Sequence, residues 1–454
     1  MPSACFTSLT LRLKYDLPPS APLPATLQTL ACRRWPFAYL EQCRERLGDR
    51  FTVYPLNMPP LVFLSDPREI RAVITAPSNV LHPGAGGTVM TPLFGEKSFV
   101  LREEAEHLTG RNAIMPAFHR RVVQEQGNMI AGIVAAAVAS WPTDTVFALE
   151  PYLRHLTLTI VLEAVLDRGK ATHNALHRRM LAMLSVMSSA VLQEPFLRHL
   201  PGWHKTWRTF VKHRDEVHET ISALITEQRC ENTHHDDMLG MLVTAQHPDG
   251  AWLSDQEVRD SLITVIIAGH ETTAAQLGWA FQLLAHNPAV QGRLVEEIDG
   301  GTDHEYMTAT IQETLRRGPV FLFAPPRAVV EPITIGGWTY HPPAHLVACI
   351  YLMHHNPALC PDPHVFRPER FLGKRPQAST LLPWGAGRKH CPGRHLALQV
   401  IQTVIREVLA TRRVLPASVR MEPPGWRSAI LAPHAGSRVI LLARDSAPQR
   451  RRRA

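Results

Sequence analysis

Within Trp384-Gly-Ala-Gly-Arg-Lys-His-Cys391-Pro-Gly393, a glycine-punctuated loop delivers one cysteine to the start of an amphipathic stretch, Arg394 to Leu409. A thiolate there would meet the positive end of a helix dipole and free backbone N–H groups, both of which favour its charged form. Pro392 suits a first helical position but has no N–H, so donors to the sulfur must come from Gly393 onward. Cys391 is therefore a candidate metal ligand, in a loop whose glycines let backbone pass close to something flat and bulky. The competing reading is a small buried hydrophobe. Three further segments bear on the choice.

The first, Ser254-Asp-Gln-Glu257, reads as a capping box opening a periodic apolar run that lasts to about His286, where Asn287-Pro288 stops it. Such a helix is roughly 50 Å long, enough to cross a domain. Ala268-Gly-His-Glu271-Thr272-Thr273 sits at its middle, beside Leu262, Ile263, Val265, Ile266 and Ile267. Polar groups there cost stability unless they are satisfied or used. They read either as a local bend with a solvent-facing Glu271 or as a working site. The second segment, Glu313-Thr-Leu-Arg316, puts a carboxylate and a guanidinium three apart on a helix that Gly318-Pro319 ends, with Arg367-Pro-Glu-Arg370-Phe371 downstream. The third, His107-Leu-Thr-Gly-Arg111, places two hydrogen-bonding side chains on one helical face, although Gly110 weakens the helix. Arg327, in Ala324-Pro-Pro-Arg327, is a further cation. Taken singly, each basic residue reads equally well as a solvated side chain.

In order and spacing these four segments resemble the cytochrome P450 family of haem-thiolate monooxygenases, over about Trp35 to Leu442. That family's cysteine loop runs aromatic, Gly, any, Gly, two residues often basic, any, Cys, any, Gly. The resemblance implies haem b (iron protoporphyrin IX) ligated by Cys391, with dioxygen hydrogen-bonded by Thr272 and protons fed by Glu271. It makes His107, Arg111, Arg327, Lys389 and Arg388 partners of the haem propionates. Glu313, Arg316 and Arg370 become a structural set that fixes the cysteine loop from behind. Substrate would be lined by Ala268, Val320, Phe321, Leu322, Phe323 and Ile430, with Leu431 and the segment 84–100. Phe321, Leu322 and Phe323 make an apolar wall and favour a lipophilic substrate such as a fatty acid or terpenoid. Three positions depart from the pattern. His107 stands where tryptophan is common, Lys389 where Arg or His is usual, and Trp384 where phenylalanine is usual. The Trp384 indole reads either as a donor to the thiolate, which would raise the iron potential, or as packing beside the haem.

The coarse pattern is helix-dominated. Phe51 to Leu56 and Leu61 to Leu64 flank Asn57-Met-Pro-Pro60 as a hairpin, Asp66-Pro67 opens a helix, and the last strands fall between Ser428 and Leu442. The resemblance implies a mainly α fold with small β-sheets, the haem lying between the long central helix and the cysteine-loop helix. Nothing resembling a linker divides the 454 residues, so one large domain over 35–442 is expected, after a proline-rich lead-in (1–34) and before a basic tail (443–454). The seven cysteines have no paired spacing, which argues against a disulfide framework, a zinc site and an iron–sulfur cluster, and for a reducing compartment. Lacking an apolar run long enough to span a bilayer, the chain is expected to be soluble and cytoplasmic, like the family's bacterial members, which Met115-Pro-Ala-Phe118 also resembles.

The formal net charge is +8, and Arg450 to Arg453 contribute four of those positive charges as a solvated tail rather than a nucleic-acid site. Arg388, Lys389 and Arg394 offer a cationic face to an acidic electron donor. Without a nucleotide-binding glycine motif or flavin domain, electrons are expected from a ferredoxin or flavodoxin-like protein with its NAD(P)H-dependent reductase. Two other readings stay in view. One is a haem-thiolate isomerase, dehydratase or peroxide user needing no donor, against which Glu271 and Thr272 speak. The other is a haem gas sensor without turnover.

Overall fold

The computed structural model describes residues 16–82, 90–102, 104–166, 170–187, 198, 202–230, 237–301, 304–374, 381–427 and 430–444. The side chain of Arg388 and the expected tail at 450–453 lie outside the described residues. The longer helices are α1 (Ala25–Arg34), α2 (Pro36–Leu47), α3 (Pro67–Thr75), α4 (Glu104–Ile114), α5 (Gly127–Ala139), α6 (Glu150–Val165), α7 (Lys170–Met187), α8 (Trp203–Cys230), α9 (Asp255–His286), α10 (Pro288–Gly300), α11 (Glu305–Arg317) and α12 (Arg394–Thr411). The strands are short: β1 (Arg50–Val53), β2 (Leu61–Leu64), β3 (Leu81–His82), β4 (Val146–Ala148), β5 (Arg327–Val329), β6 (Ile333–Ile335), β7 (Trp338–Tyr340), β8 (His345–Ala348), β9 (Arg412–Pro416), β10 (Pro424–Arg427), β11 (Ile430–Pro433) and β12 (Arg438–Ala443). They form one five-stranded sheet in the order β1-β2-β8-β5-β3, a three-stranded sheet β4-β12-β9, and the pairs β10-β11 and β6-β7.

The central helix is built as its sequence predicts. Ser254 and Glu257 form a complete capping box, and the helix runs to His286 with Asn287 as its C-cap. At 1.5 Å per residue its 32 residues span about 48 Å. It is buried almost all round, because the core lies on every side of it: Ile263, Ile266, Leu277, Phe281 and Leu284 belong to the largest hydrophobic cluster, with α5, α6, α8 and α12. Gly269 admits α6 closely, since a Cβ there would lie 3.1 Å from the Val161 side chain.

The hairpin is present, antiparallel with Phe51 opposite Phe63, but its first strand ends at Val53 rather than Leu56. Asp66 caps α3 through a bond from the Arg68 N–H. Two expectations need correction. Gly110 does not disturb α4; it is required there because a Cβ would come within 2.5 Å of Phe99 Cβ, so the helix keeps a weak helix former to gain close packing. Folded structure also begins before Trp35, since α1 packs Ala31 and Cys32 on the cluster that holds Phe51, Phe63 and Tyr351.

Candidate active site around Cys391

The cysteine loop is a tight turn closed on itself. Gly385 and Gly387 adopt φ of +65° and +68°, where side chains are strained, and the Cys391 N–H donates to the Trp384 carbonyl at 2.8 Å. The helix behind starts two residues after Pro392, which is not its first helical residue: Gly393 is the N-cap and Arg394 the first helical residue. The Gly393 N–H donates to the sulfur. Burial pushes the thiol pKa up, opposed by that bond and by the charges of Arg111 and Arg394. A thiol so desolvated needs a cation to ionise, and a metal supplies one. Trp384 meets Cys391 through its backbone carbonyl, while its side chain packs on the main core.

Behind the loop stands a saturated polar set. Arg316 donates to both oxygens of Glu313, at 2.7 and 2.8 Å, and Arg370 Nε and the Arg367 N–H donate to Glu313 Oε1 at 3.3 and 2.9 Å. Arg316 also donates to the His354 carbonyl, and His354 Nε2 accepts the Leu382 N–H at the mouth of the cysteine loop. Burial and the Arg316 charge push His354 down to about 3, so it is neutral and free to accept. The sequence-predicted trio is thus assembled, and His354 is the link that sequence reasoning missed. Nothing local marks it, because its partners lie 28 and 38 residues away.

Three of the expected propionate partners lie along one edge of the loop. Arg111 donates to the His390 carbonyl at 2.8 Å, Lys389 Nζ to the Arg102 carbonyl at 3.0 Å, and His107 Nδ1 lies 2.8 Å from the Phe99 carbonyl oxygen. Arg327 Nη1 donates to the Ala76 carbonyl, while Ala324 and Ala386 flank a shared apolar cluster. The neighbouring segment reaches α9 through Ser98 Oγ and Thr264 Oγ1, 2.6 Å apart. Residues 98–111 therefore bridge the central helix and the cysteine loop.

On α9 the burial is interrupted at one place. Ala268 is exposed and Gly269 and Thr272 are partly so, within a helix otherwise buried from Asp260 to Ala285. Positions four apart share a face, so Ala268 and Thr272 border one opening inside the fold. Thr272 Oγ1 donates to the Ala268 carbonyl at 2.6 Å. Glu271 does not face solvent, contrary to the bland reading of the motif. Arg154 on α6 holds it with bonds of 2.7 and 3.0 Å to Oε1, and His270 Nε2 lies 3.2 Å from the same oxygen. Burial alone would push the Glu271 pKa up, but His270 and Arg154 outweigh it and hold the carboxyl below its usual range. Burial lowers His270, so at neutral pH Arg154 supplies the charge and the imidazole is a neutral partner. The Thr157 hydroxyl lies 3.0 Å from His270 Nδ1, and His177 and His155 meet edge to face nearby with ring centroids 4.4 Å apart.

The expected apolar wall is divided by its backbone. The Leu322 carbonyl accepts the Tyr351 N–H, which turns Leu322 into the N-terminal core, and Phe323 packs edge-on against Phe63 at 5.6 Å. Phe321 is exposed, and Val320 joins Ile430, Ala275 and Ala432 in a small cluster. Leu322 is thus core rather than pocket, Phe323 packs partly buried against the same cluster, and Leu431 lies within it. Of the segment 84–100, residues 84–89 fall outside the described residues; Phe99 is core.

The donor set suits haem: one soft thiol for iron, with Arg111, Lys389 and His107 bonding backbone oxygens that propionates could replace. The chain's relatives bear on the same point. The sequence profile of the Cytochrome P450 family matches residues 17–436. The chain is 30% identical over 437 residues to a provisionally named cytochrome P450 135B1 of Mycobacterium bovis, covering 94% of this chain and 92% of the relative. It is 32% identical to cytochrome P450 137 of Mycobacterium tuberculosis, covering 93% and 90%. Among solved structures, a retinoic-acid-bound cyanobacterial CYP120A1 superposes with a TM-score of 0.81 at 19% identity, covering 95% of this chain and all of that one. The cytochrome P450DA heme domain does so with a TM-score of 0.82 at 18% identity, covering 95% and 98%. With the family's profile over nearly its whole length and its loop cysteine, donor ring and interrupted central helix in place, the chain belongs to the cytochrome P450 family, whose general chemistry is that of haem-thiolate monooxygenases.

Proposed function

We propose that the protein hydroxylates or epoxidises a lipophilic small molecule, such as a fatty acid or terpenoid, using two electrons from a separate donor. The observation that carries this reading is the opening at Ala268 and Thr272 in an otherwise buried helix. Haem b, when bound, supplies the activation of dioxygen and the oxidation of a C–H bond. Cys391 ligates the iron as a thiolate, stabilised by the Gly393 N–H. Arg111, His107 and Lys389 orient the group by its propionates, with Arg327 and Arg388 assigned to the same task. Thr272 holds an exchangeable proton on the open face of α9, where its present acceptor is the Ala268 carbonyl. Glu271 restores that proton after its carboxylate has parted from Arg154 and taken up a proton from solvent, which the partly exposed Arg154 side chain reaches. Val320, Phe321 and Ile430 are retained as substrate contacts. Exposed Arg394 and Arg120, with His119 and His395 beside them, form the cationic face for a ferredoxin or flavodoxin-like donor and its NAD(P)H-dependent reductase.

The test is the absorbance spectrum of the reduced protein with carbon monoxide, followed by NAD(P)H consumption with a donor system and candidate lipids. A strongly red-shifted Soret band, lost in Cys391→Ser, is expected. A band at the histidine-ligated position would overturn the thiolate assignment. Product formation that runs on peroxide and ignores the donor would overturn the electron requirement.

A further inference from the structure

Helix α1 is amphipathic the wrong way round. Its buried residue is Gln28, and its leucines face outward. The Gln28 amide is fully engaged inside: Nε2 donates to the Leu23 carbonyl at 2.8 Å, and Oε1 accepts the Tyr54 N–H at 2.9 Å. The Tyr39 hydroxyl is 3.4 Å from the same oxygen. The helix is therefore anchored by a polar hub together with the small side chains of Ala31 and Cys32, while its leucines stay outside, unlike an ordinary surface helix, which buries its large apolar residues.

What it leaves outside is a set of large apolar side chains at both of its ends and along one face. Leu27 and Leu30, three apart, share one helical face, Leu23 stands just before the N-cap Pro24, and Trp35 is the C-cap. The hairpin tip adds Leu56 and Met58, tied to the helix by the Leu56 N–H donating to Thr29 Oγ1 at 2.8 Å. All six side chains are between 37% and 57% exposed. Single exposed leucines are ordinary, whereas a cluster of this kind marks a contact surface.

The charge around the face selects the contact. Helix α1 has no acidic residue and ends in exposed Arg33 and Arg34, the latter 5.5 Å above the Trp35 ring. Over residues 1–35 the basic side chains are Arg12, Lys14, Arg33 and Arg34, against Asp16 alone. Leucines and a tryptophan for the acyl boundary, with arginines rising beside them to the headgroup level, are the chemistry of an interfacial helix. We propose that α1 and the β1–β2 tip seat the protein peripherally on an anionic lipid surface. No single described helix is long and apolar enough to span a membrane, so the attachment is by this face.

The experiment is cosedimentation of the full-length haem-loaded protein with phosphatidylcholine vesicles, with and without phosphatidylglycerol. Binding is expected only when phosphatidylglycerol is present, and it should weaken as salt is raised. Leu27→Glu/Leu30→Glu should lower the vesicle-bound fraction about tenfold or more. Val419→Glu, at a side chain 98% exposed elsewhere on the surface, should leave it unchanged. Intact Soret absorbance in each variant shows that it is folded. Absence of binding to either vesicle, or binding indifferent to the Leu27/Leu30 change, would overturn the proposal. Concentration-dependent self-association abolished by Leu27→Glu/Leu30→Glu, without vesicle binding, would give the face to a second copy of the chain instead.

Discussion

Two buried glutamates, each held by arginine, are built differently. Glu313, behind the cysteine loop, uses both carboxylate oxygens: Oε2 accepts Arg316 Nε, and Oε1 accepts Arg316 Nη2, Arg370 Nε and the Arg367 N–H. Its side chain and that of Arg316 are 0% and 3% exposed. Glu271, on the central helix, takes its described hydrogen bonds on Oε1 alone, and its partner Arg154 retains 22% exposure. A carboxylate saturated in the dry interior is a fastener, because every alternative position leaves unpaired donors. One with an oxygen in reserve and a partner that reaches water can let go.

Glu313→Ala should therefore have the largest effect. It strands Arg316 and Arg370, and removal of one partner from a buried pair costs about 3–5 kcal/mol. The expected outcome is a large loss of denaturant midpoint together with failure to retain haem. A variant with wild-type stability would show that the loop is not fastened from behind. Arg154→Leu should cost less, about 2 kcal/mol, because Arg154 is partly solvated and His270 still faces the carboxylate. The pH dependence has a definite sign. With Arg154 present the folded-state pKa of Glu271 lies below its unfolded value, so the pair's contribution is full above that unfolded value and is lost as pH falls through the folded one. Without Arg154 only His270 remains to oppose burial, so the folded-state pKa rises toward its unfolded value. The stability gap between wild type and variant should then be widest at neutral pH and narrow on acidification, as a series of melting temperatures would reveal. A gap independent of pH would mean that Arg154 acts by packing.

Thr272→Ala touches neither glutamate. It should leave stability within about 0.5 kcal/mol and still bind substrate, while product formed per NAD(P)H falls by about tenfold and peroxide rises in its place. Tight coupling in this variant would take the proton role away from the open face of α9.

How much of this was legible in the sequence follows the range of each interaction. The capping box of α9, the Asp66 cap, the Glu313–Arg316 pair and the glycine loop before Cys391 are local, and local spacing is what a sequence displays. Arg154 lies 117 residues from Glu271, so the lock on that carboxylate was invisible and the residue read as either solvent-facing or working. Leu322 and Phe323 looked like pocket because an apolar run does not say which side of a strand-like segment each residue takes; the Tyr351 N–H decides it. β9 and β10 were missed because β9 begins directly where α12 ends, with no turn residue to announce it. Gln28 was hidden for the opposite reason, being a polar residue whose partners are backbone groups brought in by folding.

The finest distinction concerns His354, which joins the saturated side to the cysteine loop by accepting the Leu382 N–H. A glutamine can present an amide oxygen as acceptor in place of Nε2, so His354→Gln should change stability at neutral pH by less than about 1 kcal/mol. What it should remove is acid sensitivity. The imidazole is held down to about 3 in the fold against an ordinary value of 6.5, so the unfolded chain binds a proton that the folded one refuses. Its contribution is therefore complete above the ordinary value and is lost steadily as pH falls toward the folded one. Denaturant midpoints taken across that window should fall less steeply in His354→Gln than in the wild type. Parallel curves would mean that the proton enters elsewhere, and that the loop is held by the Arg316 contacts without help from the imidazole.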